Sequence, residues 1–173
     1  ENERHGAQFS YHGEKDELLA LLVKASVNAV RLRLWVDPNS ESHLSYGGGH
    51  NDLATTLSLA KRANQLKLDI ALDFHYSDFW ADPGKQFKPK AWETFHDEAL
   101  YQALYTHTKT VLLAFEKENI PLKWIQVGNE ITNGLCWPDG QLYVNHLFQK
   151  DGLSTMIQLL KAGIKACREV SPE

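Results

Sequence analysis

The residues with the clearest chemical potential are Val127-Gly128-Asn129-Glu130, an amide followed directly by a carboxylic acid at the end of an apolar run. An acid that protonates a poor leaving group needs a raised pKa, and a strand end within a cleft can supply it. A neighbouring amide can hydrogen-bond a sugar hydroxyl beside the reacting carbon, an interaction that strengthens in the transition state. Gly128 would let the backbone come close. The group therefore suits cleavage of a glycosidic bond. A second reading stays open: an Asn-Glu pair that only caps the following turn.

Four more ionisable residues fall on two other strand-like runs. Arg31 and Arg33 alternate with Val30, Leu32 and Leu34, while Asp73 and His75 alternate with Leu72 and Phe74. If the strands are neighbours, the four share a face. Arg31, deeper in its strand, suits a structural ion-pair lattice. Arg33, nearer the strand end, suits orienting a catalytic carboxylate. His75 could bond substrate or position an acid, with Asp73, Tyr76, Asp78 and Trp80 close to it in sequence. Asp73, His75, Asp78 and Asp82 also resemble metal ligands in type. Only the first two have fixed spacing and no second histidine is near, so neither a metal nor a cofactor is predicted. His43 and His50, in a glycine-rich stretch, read as solvated. Trp35, Tyr76, Phe79, Trp80, Trp92 and Trp137 concentrate in loops. Sugar rings stack their C–H faces on aromatic rings; the alternative is that these side chains pack their own loops.

These residues must be positioned by alternating helices and strands. Leu18, Leu19, Leu22 and Val23 recur at helical spacing within Glu14–Ser26. A strand follows over Asn28–Val36, ended by Asp37-Pro38. After a loop over Asn39–Asn51 that contains Gly47-Gly48-Gly49, a helix starts at Leu53 with Asn51 or Asp52 as its cap. Leu68–His75 is the second strand and Tyr76–Lys90 a long loop. Leu100, Leu104, Val111 and Phe115 mark a helix to about Asn119, and Trp124–Glu130 is the third strand. A loop runs to Gly152. Met156, Leu160, Gly163 and Cys167 then face one side of a last helix, which ends before Ser171-Pro172.

Strand–helix alternation predicts parallel strands and an α/β fold. A sheet covered on both faces should be apolar on both, yet one face here is ionisable. A barrel accounts for this, with helices outside and polar groups converging at its C-terminal mouth. A full (β/α)8 barrel needs eight units and about 250 residues. The expectation is therefore a partial barrel: strands 2–4 with helices 1–4, lacking the first strand and the last four. Residues 1–173 would form one incomplete catalytic domain, a fragment with no second domain, and its open sheet edges could self-associate.

Composition narrows the classes. The 173 residues carry 18 Lys+Arg against 22 Asp+Glu, a net charge of −4, so nothing favours nucleic acid as a partner. With 43% apolar residues the chain can fold, and no run approaches a membrane span. Cys136 and Cys167 make neither a disulfide framework nor a zinc motif. The chain starts at Glu1 with no signal peptide, which suggests a processed or trimmed terminus and leaves the compartment unread.

Three segments carry a resemblance. Val30-Arg31-Leu32-Arg33-Leu34-Trp35-Val36-Asp37-Pro38, the run from Leu72 to Gly84 (Leu72-Asp73-Phe74-His75-Tyr76-Ser77-Asp78-Phe79-Trp80-Ala81-Asp82-Pro83-Gly84) and Val127-Gly128-Asn129-Glu130 resemble family-53 glycoside hydrolases, the arabinogalactan endo-β-1,4-galactanases. Pro89, Ala91-Trp92, Gly134-Leu135, Trp137-Pro138 and Gly140 fit the same pattern. The resemblance implies a (β/α)8 barrel that cleaves internal β-1,4-galactosidic bonds of galactan with retention, secreted or held at the cell surface. It implies Glu130 as general acid/base and Asn129 as the sugar-binding amide, with Arg31, Arg33, His75, Asp78, Trp80, Asp82, Trp92 and Trp137 lining the cleft. Some bacterial members carry calcium in a late loop outside this chain. The family's nucleophile lies at the end of the seventh strand, near position ~220 at about 30 residues per unit and so beyond Glu173. Glu98, Glu116 and Glu118 sit on a helix outside the barrel and cannot replace it. The 173 residues alone are therefore expected to be inactive, the parent enzyme a galactanase. Alternatives are a non-catalytic galactan-binding half-barrel, a self-associating half-barrel and a metal-dependent hydrolase.

Overall fold

The computed structural model describes residues 2–3, 5–39 and 51–171. Gly47-Gly48-Gly49, His43, His50 and Pro172 lie outside the described residues.

The chain opens on an antiparallel hairpin, β1 (Phe9–Tyr11) with β2 (Glu14–Asp16), before α1 (Leu18–Lys24). This corrects the expected helix over Glu14–Ser26. His12 and Gly13 both take positive φ, 49° and 84°, and the turn they make sends residues 14–16 back along β1. Helix α1 lacks a cap from its own N-cap Glu17. Instead Glu3 Oε1 accepts from the Leu18 N–H at 2.8 Å, and Arg62 bridges Glu3 and Glu17.

Three strands then alternate with helices: β3 (Ala29–Leu34), α2 (Leu53–Gln65), β4 (Asp69–Phe74), α3 (Asp97–Lys117) and β5 (Trp124–Val127). They form one parallel sheet in the order β3-β4-β5, with Arg33 beside Asp73 and Asp73 beside Gln126. Asp52 caps α2, accepting from the Thr55 N–H at 2.7 Å. The expected loop after the third strand holds two small hairpins: β6 (Gly134–Leu135) with β7 (Gly140–Gln141), and β8 (Tyr143–Val144) with β9 (Leu147–Phe148). Helix α4 (Lys150–Val170) closes the described chain. Its buried face carries Leu159 rather than Leu160, beside Gly152, Gly163 and Ala166.

Each helix that leads into a strand ends in the same way. Val27, Leu68 and Ile120 donate their N–H groups to Leu22, Ala63 and Phe115 at 2.9, 3.0 and 3.1 Å. The preceding Ser26, Lys67 and Asn119 take positive φ of 67°, 58° and 53°. This is the C-terminal motif in which a left-handed residue turns the chain and the next, apolar one returns to the core. Repetition of this turn delivers all three strands in parallel.

One face of the sheet packs under the helices. Leu34, Ile70, Leu72 and Phe74 join Leu100, Leu104, Val111, Phe115 and Leu159 in a single buried cluster. Helix α4 approaches closely because Gly163 has no side chain: a Cβ there would sit 2.5 Å from Val127 Cγ1. Tyr76 is buried in this layer, bonded through its hydroxyl to Thr108 at 2.9 Å, and burial pushes its pKa up.

His107 on α3 enters the same layer, edge-on to Phe74, Tyr76 and Trp92. Its Nε2 is enclosed with no hydrogen-bond partner. Burial drives its pKa down to about 4, and the Asp78 charge only partly opposes this. A histidine in the unfolded chain titrates near ~6.5. The unfolded state therefore takes up a proton first as pH falls, and stability present above ~6.5 is lost between there and about 4. In urea unfolding at pH 7 and pH 4.5, His107→Leu should remove on the order of 2–3 kcal/mol of the acid-induced loss. An unchanged pH dependence would contradict this.

Candidate active site

The opposite face of the sheet is polar. Asp73 on β4 is fully buried, with Oδ2 2.7 Å from Arg31 Nη2 and 3.2 Å from His75 Nε2. These are ion contacts of poor hydrogen-bond alignment, and neither Asp73 oxygen accepts a well-formed bond. Arg31 also donates to Asn129 Oδ1 at 2.6 Å and, through Nε, to Gln126 Oε1 at 3.2 Å. Asn129 Nδ2 donates to the Ala81 carbonyl at 2.7 Å, and the Ala81 N–H donates to His75 Nδ1 at 3.0 Å. The contacts close a ring through Arg31, Asp73, His75, Ala81 and Asn129. Because Nδ1 accepts, the neutral imidazole carries its proton on Nε2, towards Asp73.

Glu130 follows directly. Its backbone is left-handed, φ 49° and ψ 45°, and Gly128 two residues earlier has φ 95°. A Cβ on Gly128 would lie 2.7 Å from Ile131 Cγ2, so the turn needs glycine there. Glu130 is exposed, and its side chain makes no capping bond to the short 3-10 turn that it begins. The Asn129 side chain bonds Arg31 and Ala81 instead of that turn. The capping reading of the Asn-Glu pair thus finds no bond to support it, and non-glycine strain of this kind gathers at functional sites.

The remaining candidates separate by environment. Arg33 lies over the Trp80 ring, 4.0 Å from its centroid. Trp35 is buried between Phe79, Trp80 and His75. A cavity of about 420 Å³ beside this cluster is lined by Phe79, Trp80, Phe87, Lys85, Lys88 and Glu93, and does not include Glu130. Trp137 meets Phe87 edge-on and donates from Nε1 to the Asn133 carbonyl at 2.9 Å. Asp82 accepts from the Gly84 N–H at 2.9 Å and pairs with Lys85, and these bonds outweigh burial to hold its carboxyl below the usual range.

Three of the residues expected to line the cleft are buried. Trp92 is buried in the core cluster against His107, because the short turn Lys90–Trp92 directs it under α3. Asp78 is buried, its two oxygens accepting from the Asp37 and Lys90 N–H groups at 2.9 and 2.8 Å, so it ties two loops together. His75 is buried as well, with both ring nitrogens facing the network. Two features had no signal in sequence. Gln86 is buried and donates to the carbonyls of Asn129 and Glu130. Lys88 and Asp139 form a largely buried pair joined by His96. Burial would raise the Asp139 pKa, but the Lys88 and His96 bonds prevail and lower it.

Both cysteines are free, and burial pushes their thiols up, Cys136 to about 12 and Cys167 to about 11. Neither is a nucleophile at neutral pH. Among the described residues no group of three His, Cys, Asp or Glu could hold a metal ion.

Parallel strands wrapped by helices on one side, with ionisable groups gathered on the other and at the strands' C-terminal ends, define part of a β/α barrel. The chain belongs to glycosyl hydrolase family 53, whose family model matches residues 1–173. It is 36% identical over 163 residues to an endo-β-1,4-galactanase of Bacillus subtilis, covering 94% of this chain and 35% of that protein. It is 40% identical over 129 residues to a probable arabinogalactan endo-β-1,4-galactanase A of Aspergillus terreus, covering 75% and 35%. A solved family-53 catalytic domain from Ignisphaera aggregans superposes with a TM-score of 0.87 at 37% identity, over 99% of this chain and 46% of that one. A fungal β-1,4-galactanase gives 0.84 at 29% identity, over 99% and 48%. The chain thus spans between a third and a half of the relatives it matches, and its three parallel strands are part of a (β/α)8 barrel.

The buried Asp73 charge and the Arg31 guanidinium should depend on each other. A double-mutant cycle of Arg31→Met and Asp73→Asn, read by urea unfolding, should give a coupling of about 1–3 kcal/mol. Additive losses would show that the pair is not coupled.

Proposed function

We propose that the protein carrying this chain is an endo-acting, retaining β-1,4-galactanase, and that these residues supply the proton-donating half of its site. The observation that carries the reading is Glu130: an exposed acid on a strained strand-end turn, with no capping bond, directly after Asn129, whose side-chain amide is held by Arg31 and Ala81 and whose backbone carbonyl is held by Gln86. The names of the relatives support the substrate.

In this reading Glu130 protonates the departing glycosidic oxygen and later takes a proton from water. Asn129 has one N–H and one lone pair beyond those used by Ala81 and Arg31, and offers them to a galactose hydroxyl. Trp80, stiffened by Arg33, gives a stacking face, and Trp137, packed edge-on to Phe87, offers a second aromatic surface. Asp82 shapes the loop, while Arg31, His75 and Asp78 act from behind as braces. A retaining mechanism needs a second carboxylate about 5–5.5 Å from the first. Among the described residues Asp73, Asp78 and Asp82 are each committed to ion pairs or backbone bonds, and the family resemblance sets the nucleophile on a later strand, so it is assigned to the protein outside residues 1–173. A polymeric galactan substrate places the enzyme outside the cell.

In the full-length protein, Glu130→Gln should lower kcat on β-1,4-galactan by about 10²–10⁴-fold, and Trp80→Ala should act mainly by raising KM. The isolated 173 residues should show no turnover. Galactan cleavage by the isolated chain, abolished by Glu130→Gln, would contradict this division of the site.

A further inference from the structure

We propose that Gln86 is a positioning residue for the acid at 130, an inference that rests on the reading of Glu130 as proton donor. Strand pairing ends at Val127, so the ladder does not hold the next three residues. The Gln86 side-chain amide does. Its Nε2 lies 2.7 Å from the Asn129 carbonyl oxygen and 3.3 Å from that of Glu130. Those two carbonyls flank the Cα of residue 130, and the angle between them is set by the φ and ψ of that residue. One amide NH2 group, with a hydrogen for each oxygen, therefore holds the backbone of Glu130 in its left-handed state. In that state the Cα–Cβ bond leaves the turn in one direction, which aims the carboxyl.

Gln86 is itself anchored. Its side chain is buried, and its backbone carbonyl accepts from the Trp137 N–H at 2.6 Å. The loop after β4 thus reaches the end of β5 and fastens the Asn129–Glu130 turn twice, Gln86 through the backbone carbonyls and Ala81, together with Arg31 of β3, through the Asn129 side chain. Released from Gln86, Glu130 would relax towards negative φ, where a residue with a Cβ is more comfortable, and its carboxyl would swing away. A proton donor works only within hydrogen-bond reach of the leaving oxygen, and about 1 Å of misplacement can cost about 100-fold.

The test uses the full-length protein and two substrates: a β-1,4-galacto-oligosaccharide, whose alcohol leaving group needs a proton, and the dinitrophenyl glycoside of a shorter one, whose leaving group does not. Glu130→Gln should be severely impaired on the first and far less on the second. Gln86→Met, which keeps the length but cannot donate, should lower kcat/KM at least about 10-fold on the oligosaccharide and much less on the aryl glycoside. Gln86→Glu should fail while ionised and regain part of its activity as pH falls and its carboxyl becomes an O–H donor. Wild-type kcat/KM for Gln86→Met, or equal losses on both substrates, would overturn the role of Gln86 while leaving that of Glu130 intact. If Gln86→Met does not fold, a Gln86→Glu pH profile parallel to wild type would do the same. Wild-type kcat/KM of Glu130→Gln on the oligosaccharide would overturn the underlying reading instead.

Discussion

The buried carboxylate of Asp73 is the constraint around which the polar face is built. A charge with no solvent exposure has to be matched, and here Arg31 matches it. Arg31 is long enough to serve Asp73, Asn129 and Gln126 together, and so links β3, β4 and the end of β5. The Asp73 carboxylate also faces the Nε2 proton of His75, whose other nitrogen holds Ala81. Ala81 in turn holds Asn129. Neutralising one charge therefore orders the strand end from which the acid projects.

The two faces of the sheet divide the work. The outer face carries the apolar layer under α2, α3 and α4, and the close approach of Gly163 to Val127 seats β5 against α4. That packing and the pairing with β4 hold β5 in place up to Val127. Beyond it the backbone departs from strand geometry, and polar side chains take over from the ladder: Arg31 on Asn129, Gln86 on the two following carbonyls. Asp78 adds a third fastening by tying the loops after β3 and β4 through backbone N–H groups. The Glu130 side chain is left exposed and makes no capping bond, as suits the proton donor proposed for it.

Much of this was legible in the residues. The three parallel strands, their helices and the contrast between faces follow from period-two alternation broken by arginine, aspartate and histidine, because burial leaves such groups few alternatives. The lattice role of Arg31 followed from its depth in the strand. What stayed hidden depends on contacts between distant loops. Gln86 looks like any polar loop residue until its amide meets a turn 43 positions away. Trp92 resembles a cleft aromatic by type, but a single 3-10 turn decides that it faces the core. The opening hairpin was missed because leucines from Leu18 onward give a helical period that extends backwards over Glu14–Asp16, while the His12-Gly13 turn has the stronger claim there.

The most direct test of the account is the stereochemistry of rescue in Glu130→Ala of the full-length protein. Without the acid/base, azide can enter the vacated space and attack the glycosyl-enzyme intermediate, on the face that water would have used. If Glu130 is the acid/base of a retaining site, azide should restore turnover of a dinitrophenyl galactoside substrate and give the β-glycosyl azide. Formation of the α-glycosyl azide would place Glu130 on the nucleophile's side of the sugar and contradict the account.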